Sequence, residues 1–283
     1  MYLSRFLFAS VEAEEQYLNY VRRTCYSSQY PFGILTKHNL RQIDFEPVTI
    51  LYGGNGCGKS TALNIICEKL GLLRDTVYNR SDFYEEYLKF CNYKTLKQIP
   101  RESRLITSDD VFDYMINIRC INNGIDMKRA ELFEDYLDNK FSDFKFTSLD
   151  DYEKLKKVNS ARSKTQSRYT RENLVDNVRE YSNGESAFIY FEERIKENAL
   201  YLLDEPENSL APKKQLELLR LLEDSVRFYK CQFVIATHSP FLLSMRDAKI
   251  YDFDENPVDV KRWTELESVR EYYRLFKEHA CEF

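Results

Sequence analysis

Residues 48–70 read VTILYGGNGCGKSTALNIICEKL, and this stretch decides the fold. Its first residues are β-branched and apolar, which indicates a strand. Apolar residues then recur at helical spacing over Leu63–Leu70, and Gly71 offers a C-terminal stop. Between the two elements, Gly53 and the triplet Gly58-Lys59-Ser60 match G-x-x-x-x-G-K-[ST], the phosphate-binding P-loop. The stretch therefore predicts a strand, a glycine-rich phosphate loop and a helix in direct succession.

The residue types of this loop suit a nucleoside triphosphate. Glycines let backbone N–H groups close around a phosphate, and the following helix directs its positive end at the same anion. Lys59 can reach the outer phosphates, and the Ser60 hydroxyl can bind Mg²⁺. A strand–helix turn that merely contains glycines is the alternative, but here strand, loop and helix are all in register. The expected ATP-binding residues of the loop are Gly53, Gly54, Asn55, Gly56, Cys57, Gly58, Lys59, Ser60 and Thr61.

Composition limits the class of protein. The 283 residues carry a formal charge of −5 and are 43% hydrophobic, which is typical of a globular protein rather than one coated in nucleic acid. No apolar stretch approaches the ~18–20 residues of a membrane span, and the N-terminal sequence does not resemble a secretory signal. The seven cysteines are odd in number and include no C-x-x-C pair, which favours reduced thiols. We therefore expect a cytoplasmic protein without membrane association. Cys57 could be a small filler or an oxidation-sensitive position.

Strand and helix patterns alternate along much of the chain and predict an α/β fold with a mostly parallel sheet. From Val111 to Val178 the sequence is instead helical, charged and poor in glycine and proline. We therefore predict a P-loop NTPase core over residues 1–110 and 180–283, interrupted by an inserted helical subdomain over residues 111–179. Tyr30 and Phe32, which precede the phosphate loop, could stack on a base, but core positions fit this aromatic-rich chain better.

The inserted segment contains a basic stretch. Residues 154–171 carry seven lysines and arginines and no acid, and four serines and threonines give the middle the composition of a loop. The stretch could contact DNA, RNA or an acidic partner, or it could be a solvated surface loop. The sequence leaves both interpretations open.

A second group of candidate residues follows two apolar strand patterns. Asp204 and Glu205 end the run ALYLLDE, and His238 follows QFVIAT. One carboxylate at a strand end can hold Mg²⁺, and its neighbour can deprotonate the water that attacks the γ-phosphate. His238 could be structural, but ligands of open α/β sheets bind at the carboxyl ends of the strands. This order of residues predicts an ATP site with Asp204, Glu205 and His238 at one sheet edge.

Taken in order, the P-loop, Ser182-Asn183-Gly184-Glu185, LYLLDEP and ATHSP resemble an ATP-binding-cassette (ABC) ATPase of the soluble SMC/RecF-like branch. The closest resemblance is to small stand-alone bacterial "predicted ATPases" whose core reads GENGSGKS, SHGES, LLDEPE and IIATHSP. The resemblance covers roughly residues 1–72 and 180–283, while residues 73–179 match poorly.

The resemblance implies specific roles. Gly53–Thr61 would be the Walker A loop, Asp204 the Walker B magnesium ligand, Glu205 the general base and His238 the switch histidine. The signature motif, which contacts ATP on the opposite subunit, would comprise Ser182, Gly184 and Glu185. From the residues alone, Ser182 and Glu185 also form a capping box, which is compatible with that role.

This sequence departs from the family pattern at three places. The signature contains Asn183 and Glu185 where most cassettes carry other residues. The D-loop, Asn208-Ser209-Leu210-Ala211, lacks the usual aspartate. Finally, Ser108-Asp109-Asp110 stands where a glutamine usually binds Mg²⁺. Either Asp109 substitutes as a metal ligand or this loop has lost its metal contact, and hydrolysis could be slow as a result.

These observations predict an enzyme that uses ATP and Mg²⁺, forms a head-to-tail homodimer around two ATP molecules, and acts through a separate effector or on nucleic acid. One alternative is an ATP-gated sensor or scaffold with little turnover, for example in phage defence. A transporter ATPase subunit is less consistent with the missing Q-loop glutamine. A nucleotide kinase would need neither the signature helix nor the switch histidine.

Overall fold

The computed structural model of the chain describes residues 1–21, 26, 28–145, 151–178 and 182–282. It divides into two compact units, one formed by residues 1–112 and 183–283 and one by residues 113–182. The predicted boundaries at 110/111 and 179/180 lie a few residues from these limits. We call the units the core unit and the helical unit.

The described strands are β1 to β9, namely Leu3–Leu7, Gln42–Asp44, Val48–Tyr52, Asn92–Thr95, Arg104–Thr107, Leu200–Asp204, Gln232–Ala236, Lys249–Asp252 and Asp259–Lys261. The described helices are α1 to α10, namely Val11–Val21, Lys59–Leu70, Tyr84–Phe90, Ser108–Lys140, Tyr152–Ser163, Gln166–Asn173, Asn183–Arg194, Pro212–Tyr229, Pro240–Leu243 and Glu267–Glu278. None of the helices in these described ranges is long and apolar enough to cross a membrane.

The main sheet has the order β5-β6-β7-β3-β8-β9, and its pairs are parallel except for β8 with β9. All five residues of β3 and of β7 are buried, as are the first four of β6. Continuous apolar runs of this kind are typical of parallel strands covered on both faces. The core unit therefore has the predicted α/β fold with a mostly parallel sheet.

The register of this sheet brings the ends of its strands together. Thr107 at the end of β5 pairs with Asp204 at the end of β6, and Asp204 pairs with Ala236 at the end of β7. Ala236 in turn pairs with Leu51 near the end of β3. The segments that follow these four strands consequently leave the sheet at one edge.

A second, antiparallel sheet of order β2-β1-β4 belongs to the same unit. Gln232, a fully buried residue of β7, connects the two sheets. Its amide oxygen accepts hydrogen bonds from the backbone N–H groups of Tyr2 (2.6 Å) and Leu3 (2.9 Å), and its Nε2 donates to the Leu3 carbonyl (2.7 Å). Because the side-chain amide makes these three hydrogen bonds, they compensate for the loss of water on burial.

The helical unit corrects one prediction. The basic stretch 154–171 is not a loop but two helices, α5 and α6, separated only at Lys164 and Thr165. The serines of the stretch lie mainly within the helices, where a solvent-facing hydroxyl is tolerated, so they do not act as turn formers. The small apolar cluster of this unit joins the two helices to α4 through Leu132, Tyr136, Ala161 and Tyr169.

Candidate ATP site

The phosphate loop joins the buried strand β3 to α2, which ends at Gly71 as predicted. Gly58 has a φ of 101°, and a Cβ added there would lie 3.1 Å from Leu35 Cδ2 and 3.2 Å from Ile34 Cγ2. Gly53 has a φ of 148°, and a Cβ there would lie 2.8 Å from Cys57 Sγ. Both the backbone conformation and the space therefore require glycine at these two positions.

Two further contacts fix the loop. The ammonium of Lys59, a residue only 4% exposed, donates to the carbonyl oxygens of Gly53 (2.6 Å) and Gly54 (2.9 Å). The backbone N–H of Gly54 donates to both carboxylate oxygens of Asp254, at 2.7 and 2.9 Å. Asp254 was not predicted as a site residue, because it lies about 200 residues further along the chain. Its carboxylate holds the first turn of the loop in place.

Ser60 and Asp204 meet directly, since the serine hydroxyl donates to Asp204 Oδ1 over 3.1 Å. Burial, together with the nearby carboxylate of Glu205, raises the pKa of Asp204 to about 6, although the bond from Ser60 opposes this shift. A buried carboxylate beside a hydroxyl gives two hard oxygen ligands, which fit Mg²⁺. Among the described residues no three His, Cys, Asp or Glu side chains form a metal cluster, and Mg²⁺ bound with a nucleotide needs no such cluster because phosphates and water complete its coordination.

Glu205 and His238 lie beside this pair. His238 Nε2 is 3.4 Å from Glu205 Oε1, and Asn208 Nδ2 donates to Glu205 Oε2 over 2.9 Å. Glu205 has a φ of 48°, in the left-handed region that non-glycine residues rarely adopt. Such strain is common at functional sites, and it supports a functional role for the turn after β6.

Glu207 is a site residue that the sequence analysis did not identify. Its Oε1 accepts hydrogen bonds from the Thr237 hydroxyl (2.6 Å), the His238 N–H (2.8 Å) and the Ser239 N–H (3.1 Å). One carboxylate oxygen thus fixes the whole turn that carries the histidine. The only sequence signal was the third acid of DEPE, two residues after Glu205.

Many of the predicted residues line two adjoining cavities, but Gly53, Gly54, Cys57 and His238 line neither of them. The metal-side cavity, of about 420 Å³, is lined by Ser60, Asn64, Arg74, Thr76, Val77, Tyr78, Asn79, Thr107, Ser108, Asp109, Asp204 and Glu205. The loop-side cavity, of about 350 Å³, is lined by Ile34, Asn55, Gly56, Gly58, Lys59, Ser60, Thr61 and Glu205. Asp109 therefore shares a cavity with Ser60 and Asp204, whereas the neighbouring Asp110 is buried and accepts from the Thr107 N–H (2.6 Å).

Comparison with known sequence families agrees with this geometry. The family described as "ABC transporter" matches residues 41–208, which is more than half of the chain. The chain belongs to the ABC ATPase family. A second family, described as "AAA domain, putative AbiEii toxin, Type IV TA system", matches residues 177–244. No curated protein matches the chain significantly. The predicted resemblance to an ABC-type ATPase agrees with these matches, and the finer assignment to the SMC/RecF-like branch stays a prediction.

Solved structures give only distant likenesses. A putative metal-chelate type ABC transporter has 17% identity and a TM-score of 0.39, over 84% of this chain and 82% of that one. The Smc head domain from Pyrococcus furiosus, bound to the C-terminal domain of ScpA, has 13% identity and a TM-score of 0.39, over 82% and 95%. The ATP-binding cassette MJ0796 with ADP and Pi has 14% identity and a TM-score of 0.35, over 80% and 90%. These likenesses are too distant to assign a function.

The predicted signature residues do not line either cavity. Gly184 and Glu185 belong to the first turn of α7, and neither lines the metal-side or the loop-side cavity. Ser182 directly precedes α7. A Cβ added to Gly184 would lie 3.5 Å from the carbonyl oxygen of Ser209, in the D-loop. Within one core unit, the beginning of the signature helix therefore adjoins the D-loop.

Aromatic residues near the ABC phosphate loop take mainly structural positions. Phe32 is 6% exposed and stacks on Tyr17 with ring centroids 4.9 Å apart, as expected of a core residue. Tyr30 is half-buried and donates its hydroxyl to Thr61 Oγ1 over 3.3 Å. Neither ring lines the loop-side cavity. Its apolar lining residue is Ile34. An aliphatic side chain there could not be singled out from the sequence.

Proposed function

We propose that this ABC-type ATPase binds ATP with Mg²⁺ in the two adjoining cavities and hydrolyses it there. The observation that carries the proposal is the meeting of Ser60, Asp204, Glu205 and His238 at one sheet edge, beside the phosphate loop. Membership of the family supports ATP binding and hydrolysis in general. The roles of the individual residues are part of the proposal.

In the proposed mechanism, the loop N–H groups and Lys59 bind the phosphates, which requires the ammonium to exchange its two loop carbonyls for phosphate oxygens. Ser60 and Asp204 would hold Mg²⁺, with Asp109, which lines the same cavity, as a further oxygen ligand. A bound ion would supply neutralisation of the phosphate charge. Glu205 accepts the proton of the attacking water, and His238 orients Glu205 and donates to the γ-phosphate.

We propose that the site is completed by a second copy of the chain. Gly184 and Glu185 lie outside both cavities of their own chain, and the N–H groups at the beginning of α7 suit a γ-phosphate presented by a partner. Ser182 would add a hydroxyl to the same contact. The resulting homodimer would hold two ATP molecules between its subunits and open after hydrolysis.

Trapping the dimer tests this proposal. Glu205→Gln keeps the shape of the side chain but removes the base, and a general base contributes about 10²–10⁴ in rate. We expect the variant to bind ATP, lose hydrolysis and run as a dimer in size-exclusion chromatography with light scattering. The matched control is the double variant with Lys59→Ala, which should remain monomeric. A Glu205→Gln chain that stays monomeric in saturating ATP would contradict the sandwich.

We assign the output of such a cycle to a separate cytoplasmic effector or to nucleic acid. A second candidate, an ATP-gated sensor or scaffold with little turnover, for example in phage defence, is favoured by one observation. The D-loop that adjoins Gly184 lacks the aspartate with which ABC subunits communicate. Steady-state hydrolysis by the wild type, measured against Lys59→Ala, separates the two: a rate no higher than that of the variant identifies the sensor.

A further inference from the structure

A cavity of about 210 Å³ lies entirely within the helical unit and shares no lining residue with the two ATP cavities. Two helices and one extended segment form its walls. Helix α4 contributes Arg129 and Phe133, α6 contributes Ser167, Thr170 and Arg171, and the segment after α6 contributes Leu174, Val175 and Asp176. We call it the insert cavity.

The walls of the insert cavity are held in place by side-chain hydrogen bonds. Asn122 of α4 bonds both backbone groups of Val178, with N–H and carbonyl contacts of 2.8 Å each. Arg129 contacts the carboxylate of Asp126 and the amide oxygen of Asn177. The segment 174–178 is thereby tied to α4 at two points, so the cavity is a built feature rather than a gap between loose elements.

One polar group in this cavity has no partner. Thr170 is only 5% exposed, and its hydroxyl makes no hydrogen bond within the described part of the chain. A buried hydroxyl without a hydrogen-bond partner is unfavourable. Thr170 lines the cavity, although its hydroxyl oxygen has almost no accessible surface, so a small shift of the cavity wall would bring a ligand oxygen within hydrogen-bond distance.

The charges of the cavity specify the ligand further. Glu172 pairs with both Lys164 and Arg168, but Arg171 makes no ion pair with any described residue. The charged lining residues are Arg129, Arg171 and Asp176, so the lining carries a net charge of about +1. A phosphodiester carries a single negative charge, which matches this lining. Arginine and hydroxyl side chains commonly donate hydrogen bonds to phosphate oxygens.

An aromatic ring completes the arrangement. Phe133 is 38% exposed at the cavity, one helical turn from Arg129. Aromatic rings beside basic residues are how single-stranded nucleic acid is bound without sequence preference, since each base can stack. We propose that the insert cavity binds one phosphodiester of a single nucleic-acid strand through Arg171, Ser167 and Thr170, with the adjoining base on Phe133. This inference does not depend on the proposed ATPase cycle.

Binding of a fluorescein-labelled 15-nucleotide oligothymidylate to the full chain tests the inference, by fluorescence anisotropy with excess ADP to fill the phosphate loop. Arg171→Ala should weaken binding about tenfold or more, as expected for a charge-assisted bond of about 1.5–3 kcal/mol. It should also reduce the slope of log K against log salt by about 0.7, the value for one phosphate contact on a single strand. Thr170→Val, which keeps the shape but lacks the hydroxyl, should weaken binding several-fold.

Lys156→Ala is the matched control, because Lys156 is an exposed basic residue of α5 that does not line the cavity. It should change the affinity less than twofold, and circular dichroism should show that all variants are folded. Failure of the wild type to bind overturns the inference, as does an equal loss in Lys156→Ala or an unchanged affinity in Thr170→Val. Phe133→Leu and a duplex probe test the assignment to single strands. That assignment is overturned if the duplex binds as tightly as the single strand and Phe133→Leu leaves the affinity unchanged.

Discussion

The phosphate loop and the insert cavity both suit phosphate oxygens, but they are built from different parts of the chain. The loop uses backbone N–H groups that glycines hold in left-handed conformations, between a buried strand and a helix. The insert cavity uses side chains of two helices that are separated by some 35 residues of sequence. The first arrangement is local and depends on residue types at fixed spacing, whereas the second exists only after the helices have packed.

The largest effect on phosphate binding is expected from Lys59→Ala, which should weaken ATP binding at the phosphate loop alone. Lys59 is buried, and it is the charged side chain that reaches the phosphate loop from α2. Loss of its charge-assisted hydrogen bonds, worth about 1.5–3 kcal/mol, should weaken ATP binding about tenfold to a hundredfold. Isothermal titration calorimetry with ATP and Mg²⁺ measures the change. Arg171→Ala is the control from the other site, and it should leave the affinity for ATP unchanged.

Much of the core unit could be predicted because its signals are local. The strands before the phosphate loop, Glu205 and His238 are continuous apolar runs, and each was predicted to within a residue or two. The antiparallel sheet was not predicted, since β4 is short and mostly exposed and so has no apolar alternation. The roles of Glu207 and Asp254 depend on contacts across the sheet, with residues 30 and 200 positions away.

A glycine substitution tests whether ATP binding by the phosphate loop requires its left-handed backbone conformation. Gly58→Ala would place a methyl group 3.1 Å from Leu35 Cδ2 at a φ of 101°, and we expect a loss of stability of about 1–3 kcal/mol and weaker ATP binding. Gly71→Ala is the matched control, since its φ of 65° is also left-handed but nothing lies within 4 Å of the added carbon. Thermal unfolding of both variants should show the smaller loss for Gly71→Ala and normal ATP affinity. Equal losses of affinity would mean that the close approach to Leu35 is unimportant.

Glu207→Ala tests a side chain that holds the turn carrying His238 by direct hydrogen bonds. Three donors of the turn after β7 would lose their shared acceptor, and His238 would be free to leave its position near Glu205. We expect kcat to fall about tenfold, which corresponds to about 1.4 kcal/mol, with little change in KM. Glu217→Ala on α8 is the control, because Glu217 forms only a local ion pair with Lys214. An equal rise in KM would indicate that Glu207 shapes nucleotide binding rather than the catalytic turn.

The smallest effect concerns Glu14, the core unit's counterpart to the unsatisfied Thr170. Glu14 is 3% exposed; its Oε2 accepts from the Gly33 N–H (2.8 Å) and the Thr36 hydroxyl (2.9 Å), while its Oε1 has no partner among the described residues. Burial raises the pKa of Glu14 above its ordinary value, although the bonds from Gly33 and Thr36 and the nearby Tyr87 hydroxyl oppose the shift. The folded state then binds this proton more tightly than the unfolded state, so stability is lost as the pH rises from about 4.3 through the raised pKa.

Glu14→Gln should therefore be more stable than the wild type at pH 8, and the difference should shrink towards pH 4. A change of about 2–4 °C in Tm at pH 8 is the shift that about 1 kcal/mol produces in a domain of this size. Glu12→Gln on the same helix is the control of opposite sign, because hydrogen bonds from its own backbone N–H and from Ser10 lower the pKa of the exposed Glu12. It should gain nothing at pH 8. If Glu14→Gln is instead less stable at pH 8, the ionised carboxylate is needed to hold the segment from Gly33 to Thr36.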